Sequence, residues 1–477
     1  MAQTFYWYDL ETSGTAPKWD RIVQFAGLRT DADLNVIGDE YCTYVELADD
    51  VLPNPDASMV TGITPQLTHA KGIPEIQALR RISDLFNQPE TCVVGYNSLR
   101  FDDEFIRYSF YRNMLDPYAR EWQQGNSRWD IIDLVRATGG LRREGIVWPV
   151  DDEGLPVYKL EELTKSNGIE HGHAHDAMSD VHATVGMARL IKEQQPKLFE
   201  YYFGMRNKKK VRHAMEPLGQ KICIHVSGMY PRYRFGVAPV LPLATHPLNS
   251  NSIIAVDLAE DVEDLISDSA DMIKQKLFTA GNPDRPPVKE IRLNRCPFIA
   301  PLEVLSEENI ERLDLDLREV KERARRLRQP GLAEKIARAY HQARPGKESD
   351  PDGALYDAFL AEEDRSRCRD FHATLEQTGF RQMDYSDQRL VGLSQRLKAR
   401  CFPQQLEAEE AAAWRDFVVD KLERDGDWMN LQKFEHRIEQ MLLDEQAVDE
   451  VSMNSQRVNI LRKLAEHAMS VRSRYQI

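Results

Sequence analysis

The alternation of short apolar runs with helix-like stretches over residues 1–195 is what most narrows the folds open to this chain. It opens with TFYWYDL, continues through IVQFAGLRT and CTYVEL, and reaches TCVVGY just before the helical pattern FDDEFIRYSFYRNML. Strand-length runs separated by stretches of helical period describe an α/β unit with a mixed sheet. The unit closes on Asp176 to Gln194, where Ala177, Val181, Thr184, Val185, Ala188 and Ile191 recur at the spacing of an amphipathic helix.

A chain of 477 residues has room for more than this one unit. Pro196 ends the α/β region, and a basic run follows it: Arg206, Lys208, Lys209, Lys210, Arg212 and His213. A solvated face and a phosphate-tracking surface fit that run equally well. From Gln220 to Pro301 the apolar runs are short and β-like (KICIHVSGM, SIIAVDL, VKEIRL), as in a small β-rich domain. Residues 302–341 look helical, and the charges of REVKERARRLR read as facing water in preference to phosphate. The stretch ARPGKESDPDG, residues 343–353, mixes Pro, Gly and charge without periodicity and reads as a linker. Beyond it the chain is mainly helical, with Val458, Leu461, Leu464, Ala465 and Ala468 as one apolar stripe suited to a core. The boundaries expected are 1–195, 196–346 and 353–477.

Hydrophobic residues at 42% and charged residues at 29% are the balance of a folded, water-soluble protein. No run approaches the roughly 18 uncharged apolar residues of a membrane span, and the N-terminus lacks the pattern of a signal peptide. A cytoplasmic location with no membrane partner is expected. Six cysteines without CxxC spacing argue against a zinc ribbon or a disulfide framework. The formal net charge of −15 disfavours indiscriminate polyanion binding. A local positive groove remains compatible with nucleic acid.

Three short elements carry the chemistry. In YWYDLET, Asp9 and Glu11 lie two apart on a strand and so face one side. Two carboxylates that close repel unless a proton or cation sits between them, and a hard divalent cation such as Mg²⁺ suits oxygen ligands beside phosphate. In TCVVGYNSLRFDDEF, Asp102 stands where a strand gives way to a helix, near the positive end of the helix dipole. Capping by Asp102 or Asp103 is the plain alternative. In HAHDAMSDVHA, Asp180 lies in the first turn of a helix and His175 in the loop before it, a placement suited to accepting a proton from an attacking water. A zinc site of His171, His173 and His175 is the competing reading, and it leaves the acids unexplained.

Together the elements resemble the DnaQ-like, or DEDDh, exonuclease superfamily: Asp9-Leu10-Glu11-Thr12, Phe101-Asp102, and His175 followed at the H-x-A-x-x-D spacing by Asp180. One departure is Ser98, beside Asn97, where relatives often carry Asn. The segments NSRWD, ITPQ, GYNSLRFDDE, FYRNMLDPYA, LTKSNGIEH and HVSGM further resemble the bacterial exodeoxyribonuclease I family. That resemblance implies an RNase H-like nuclease domain, then an SH3-like β-rich domain, then a C-terminal helical domain, the three embracing one strand. It implies Mg²⁺-dependent 3′ to 5′ hydrolysis of single-stranded DNA to nucleoside 5′-monophosphates, in DNA repair and recombination. Asp9, Glu11 and Asp180 would hold two Mg²⁺ ions, with Mn²⁺ as a substitute; Asp102 would complete the cluster and His175 act as the base. Glu11, Arg107, Tyr118, Trp122, Arg136 and Lys159 would contact the strand. Arg142 and Tyr201 would receive the C-terminal tail of single-stranded DNA-binding protein, with the enzyme a monomer. An RNA 3′-exonuclease of the same superfamily and a non-catalytic single-strand clamp are the other readings.

Overall fold

A computed structural model describes residues 3–38, 40–170, 172, 176–341, 346–448 and 456–477. The chain forms two compact units. One comprises Met1–Ser127, Gly172–Val181 and Gly346–Ile477, the other Arg128–His171 and His182–Pro345.

In the first unit the aromatic opening segment forms β1 (Thr4–Thr12), nearly all of it buried. It pairs antiparallel with β2 (Ile22–Thr30), which pairs antiparallel with β3 (Tyr41–Val45). Helices α1 (Pro55–Thr61) and α2 (Pro65–Lys71) lead to the short β4 (Gly72–Ile73), which lies parallel to β3. Helix α3 (Glu75–Phe86) then returns the chain to β5 (Thr91–Gly95), parallel to β1. The strand order β4-β3-β2-β1-β5 is the mixed sheet expected, with β1 inside it. Tyr6, Tyr8 and Leu10 of β1 pack with Phe25, Leu79, Ile82, Phe86, Phe105 and Phe110 in one core. Helix α4 (Asp102–Arg112) supplies the last two of these.

The C-terminal helices of this unit are pinned by a buried ion-pair cluster. Arg400 reaches Asp50 at 2.7 Å and Asp352 at 2.5 Å, and Lys421 reaches Asp50 at 2.7 Å. Against the opposing effect of burial, Arg400 and Lys421 hold the Asp50 carboxyl, and Arg400 and Arg396 the Asp352 carboxyl, well below the usual carboxylate range. Asp352 belongs to the stretch expected as a linker, yet it is fully buried. A composition rich in Pro, Gly and charge does not reveal that charges have buried partners. Residues 343–345, the beginning of that stretch, lie outside the described residues. Of the expected stripe, Leu461, Leu464 and Ala468 lie in one helical core with Ala465 packed against it, and Val458 is buried.

The second unit contains the later part of β6 (Ser127–Asp130), α5 (Ile132–Leu141) and α6 (Leu160–Ser166). Helix α7 (Ala177–Gln194) begins in the first unit and continues into this one. A five-stranded antiparallel sheet follows: β7 (Cys223–Val226), β8 (Val237–His246), β9 (Asn249–Asp257), β10 (Val288–Arg292) and β11 (Phe298–Pro301), in the order β10-β9-β8-β7-β11. Strand β8 escapes a reading of the sequence because it carries Pro239 and Pro242, residues that cannot donate to a ladder. The register shifts between Pro242 and Ala244. Arg323, Arg325 and Arg326 of REVKERARRLR pair with Glu319, Glu322 and Glu263, leaving that helix a charge-laced outer face. All six cysteines are free thiols.

Candidate active site

The parallel pairing of β1 with β5 stops at Trp7 and Val94, while β1 runs on to Thr12. Asp9 and Glu11 therefore lie past the carboxyl end of β5, the end of an α/β sheet where ligands settle. They keep β2 as a partner, Asp9 opposite Ala26 and Glu11 opposite Gln24, so the strand remains held where it carries charge. After β5 the chain turns sharply: a Cβ on Gly95 would meet the Ser98 side chain at 2.5 Å, and Asn97 adopts φ 59°. That tight turn delivers Asp102 to the first position of α4. Ser98, the departure from the family pattern, fills the space beside Gly95.

The structure separates the two aspartates that open α4. Asp103 is a structural anchor: Arg120 donates to it at 2.6 Å and the Tyr8 hydroxyl at 2.8 Å, all three buried. Asp102, 7% exposed, carries the charge that acts on Asp9.

Asp180, in the first turn of α7, completes the site. Carboxylate oxygens of Asp9, Glu11 and Asp180 all lie within 4.8 Å of one another. Burial, then the charges of Asp102, Asp180 and Glu11, push the Asp9 carboxyl well above the usual carboxylate range. Burial, then Asp180 and Asp176, push Glu11 up to about 8. Asp176, which sequence reasoning assigned no role, is thus part of the local field. A cluster of oxygen donors whose anionic forms are mutually destabilised fits a hard divalent cation. His175, expected as the base, and the alternative trio His171, His173 and His175 lie outside the described residues.

The residues expected along a nucleic-acid strand fall in both units. In the first, Arg107 is buried, bonded to Glu121 at 2.8 Å and Glu104 at 3.0 Å, with its guanidinium 5.5 Å from the centre of the Tyr118 ring. Tyr118 in turn meets Phe359 edge-on at 6.0 Å. Trp122 is 67% exposed, an indole face without a covering side chain large enough to bury it. In the second unit, Arg136 and Lys159 line one cavity of about 630 Å³ together with Tyr158, Tyr230 and Arg232. Tyr230 and Arg232 went unnoticed in the sequence, although they sit in the turn that follows HVSG.

Arg142 and Tyr201 converge on one segment of the second unit. The Tyr201 hydroxyl donates to the Ile299 carbonyl at 2.7 Å, and Arg142 donates to the Val304 carbonyl at 2.9 Å. Tyr201 stays partly exposed.

A mixed α/β sheet with a carboxylate trio past the end of its inner strands defines a metal-dependent nuclease. Comparison with known proteins narrows the class. The family model "Exonuclease" matches residues 6–187, "Exonuclease I SH3-like domain" residues 206–342, and "Exonuclease I C-terminal domain" residues 349–471. An exodeoxyribonuclease I from Haemophilus influenzae is 39% identical over 98% of this chain and 98% of its own length. The zinc-bound Escherichia coli ExoI–ssDNA complex matches with TM-score 0.91 and 39% identity, covering 99% of this chain and 100% of that one. A solved ExoI/SSB-Ct complex matches with TM-score 0.88 and 38% identity, covering 99% and 100%. The chain belongs to the exodeoxyribonuclease I family, with an exonuclease domain followed by SH3-like and helical C-terminal domains. No described helix is long and apolar enough to cross a membrane.

Proposed function

We propose that this chain hydrolyses single-stranded DNA from its 3′ end and releases nucleoside 5′-monophosphates, as a cytoplasmic monomer serving DNA repair and recombination. The observation that carries the reading is the meeting of Asp9, Glu11 and Asp180 within 4.8 Å at the end of an exonuclease sheet. The solved ExoI–ssDNA relative, alike over its whole length, supports single-stranded DNA over RNA as the substrate. A binding clamp without chemistry would have no use for so strained an acidic cluster.

Asp9, Glu11 and Asp180 would hold two Mg²⁺ ions, with Mn²⁺ able to replace them, and Asp102 adds its charge from the start of α4. Divalent cations held there would supply charge stabilisation to an in-line displacement at phosphorus. His175 accepts the proton of the attacking water. The water oxygen bonds to phosphorus, the P–O3′ bond breaks, and the shortened strand leaves with a free 3′ hydroxyl. Glu11 also orients the terminal nucleotide. Tyr118 and Trp122 offer stacking faces, and Arg136 and Lys159 offer cations for the backbone, a combination suited to binding without sequence preference. Arg107, whose three nitrogens bond Glu121, Glu104 and the Tyr356 hydroxyl, fixes the Tyr118 ring beneath it and adds its positive charge to the strand's path.

Arg142 and Tyr201 would receive the acidic C-terminal tail of single-stranded DNA-binding protein, a reading that the ExoI/SSB-Ct relative supports. The domain boundaries we assign are 1–195, 196–346 and 353–477.

Matched DNA and RNA single strands, labelled at the 5′ or the 3′ end and incubated with and without Mg²⁺, test the proposal. Immediate release of the 3′ label as a mononucleotide, from DNA and only with the cation, is expected. Release of the 5′ label first, or equal digestion of RNA, would overturn it.

A further inference from the structure

The cavity that holds Arg136 and Lys159 is walled on one side by residues 149–157 and on the other by the turn between β7 and β8. Residues 149–157 form a tight loop. Val150 bridges Pro156, Val157 N donates to the Pro149 carbonyl at 3.0 Å, and the Asp151 carboxylate accepts the Glu153 and Leu155 amides at 3.1 and 2.9 Å. This loop leads through Tyr158 directly into Lys159, the residue that caps α6.

Arg232, from the β7–β8 turn, straps that loop. Its guanidinium donates to Asp151 Oδ2 at 2.5 Å, to the Pro156 carbonyl at 3.1 Å and to the Leu155 carbonyl at 3.5 Å. Tyr158 adds a long bond of 3.4 Å to the Phe235 carbonyl of the same turn. The turn also makes room for the second cation. A Cβ on Gly228 would stand 2.7 Å from Arg136 Nη2, and Gly236 takes φ 73° with the Arg136 side chain 3.6 Å from its Cβ position. Arg136 is held from behind by Asp133 at 2.7 Å.

One turn thus sets both cations. It leaves Arg136 its channel through two glycines and fixes the approach to Lys159 through Arg232. Arg232 spends one nitrogen, Nη2, on the two loop carbonyls and the Asp151 carboxylate, so its task is geometric. A lysine reproduces it only in part, because its ammonium stops one bond short of the position that Nη2 reaches.

We infer that Arg232 is a positioning residue for substrate: by strapping the 149–157 loop it holds Lys159 opposite Arg136, so that the two cations act together on the strand backbone. This rests on the reading that Arg136 and Lys159 contact substrate.

The test compares Arg232→Ala, Arg232→Lys, Lys159→Ala, Arg136→Ala and the double variant Arg232→Ala/Lys159→Ala, using an oligo-dT substrate in Mg²⁺. For Arg232→Ala, KM should rise about three- to tenfold, the scale of one ordinary hydrogen bond's worth of geometry, while kcat changes little. Arg232→Lys should recover only part of the loss. The double variant should be no worse than Lys159→Ala alone, because the strap works through that lysine. An unchanged KM in Arg232→Ala while Lys159→Ala raises it would overturn the inference, as would multiplied effects in the double variant. A parallel fall of kcat and melting temperature in both Arg232 variants would show a merely structural role. If neither Lys159→Ala nor Arg136→Ala raises KM, the substrate reading fails and the inference with it.

Discussion

Asp9, on an inner strand of the sheet, and Asp180, in the first turn of α7, bring carboxylate oxygens within 4.8 Å of each other from opposite ends of the exonuclease segment. Burial and the charges of Asp102, Asp180 and Glu11 all act on the Asp9 carboxyl in one direction. Such a pair is held together by the fold against its own repulsion, and a divalent cation relieves it.

Asp180→Asn should therefore have two opposite effects. Turnover should fall at least about a hundredfold, more than the loss of an outer partner of a metal site. The metal-free protein should become more stable near pH 8, since Asp180 is the largest charge raising Glu11. Nucleotide release and thermal unfolding in EDTA check the two halves.

The metal-free protein should lose stability as pH rises from about 4.5 toward about 8. Glu11 takes its proton at about 8 when folded, against an ordinary 4.5, so the folded state holds a proton that the unfolded chain has given up. The loss should vanish when Mg²⁺ is present, and cation binding below pH 8 should release protons. Unfolding scans across that range, with and without Mg²⁺, and proton release on titration provide the measurements.

Trp122→Ala should weaken single-strand affinity by about tenfold, the scale of one stacking platform. The melting temperature should stay put, because the side chain is 67% exposed. Fluorescence anisotropy with a labelled oligonucleotide in EDTA decides it; an unchanged Kd removes Trp122 from the strand's path.

His175→Ala should largely abolish turnover while leaving oligonucleotide affinity nearly intact, as expected of a proton acceptor that does not grip the strand. Equal loss of turnover and affinity would point to a binding role. Single-turnover kinetics and anisotropy, run side by side, separate the two.

Asp50→Ala should destabilise the first unit by about 3–5 kcal/mol, the penalty for stranding a buried cation. Lys421, buried with Asp50 at 2.7 Å, is the group left most exposed to that penalty. Urea unfolding followed by tryptophan fluorescence reports it.

The local elements and the chemical residue types were legible in the chain itself. TFYWYDLET announced a buried strand ending in carboxylates, and the runs after Gln220 announced a second sheet, because side-chain periodicity is a local property. Strand β8 was not legible, since its prolines speak against a strand and only pairing with β7 and β9 on either side overrides them. Asp102 and Asp103 were indistinguishable in sequence. Arg120, brought beneath Asp103, made one of them an anchor and left the other to the site.

What the sequence by itself determined is therefore the inventory: an acidic pair on a strand, an aspartate at a helix start, another in the first turn of a later helix, and the family they signal. Tertiary structure decided which charges meet. Carboxylates meeting guanidinium make a satisfied core cluster at Asp50, Asp352 and Arg400, whereas carboxylates meeting one another make a poised acidic one at Asp9, Glu11 and Asp180. The difference lies in which charges packing sets beside an acid, Arg400 and Lys421 beside Asp50 but Asp102, Asp180 and Glu11 beside Asp9, and Coulomb energies at a few ångströms depend on that placement, which no local pattern records.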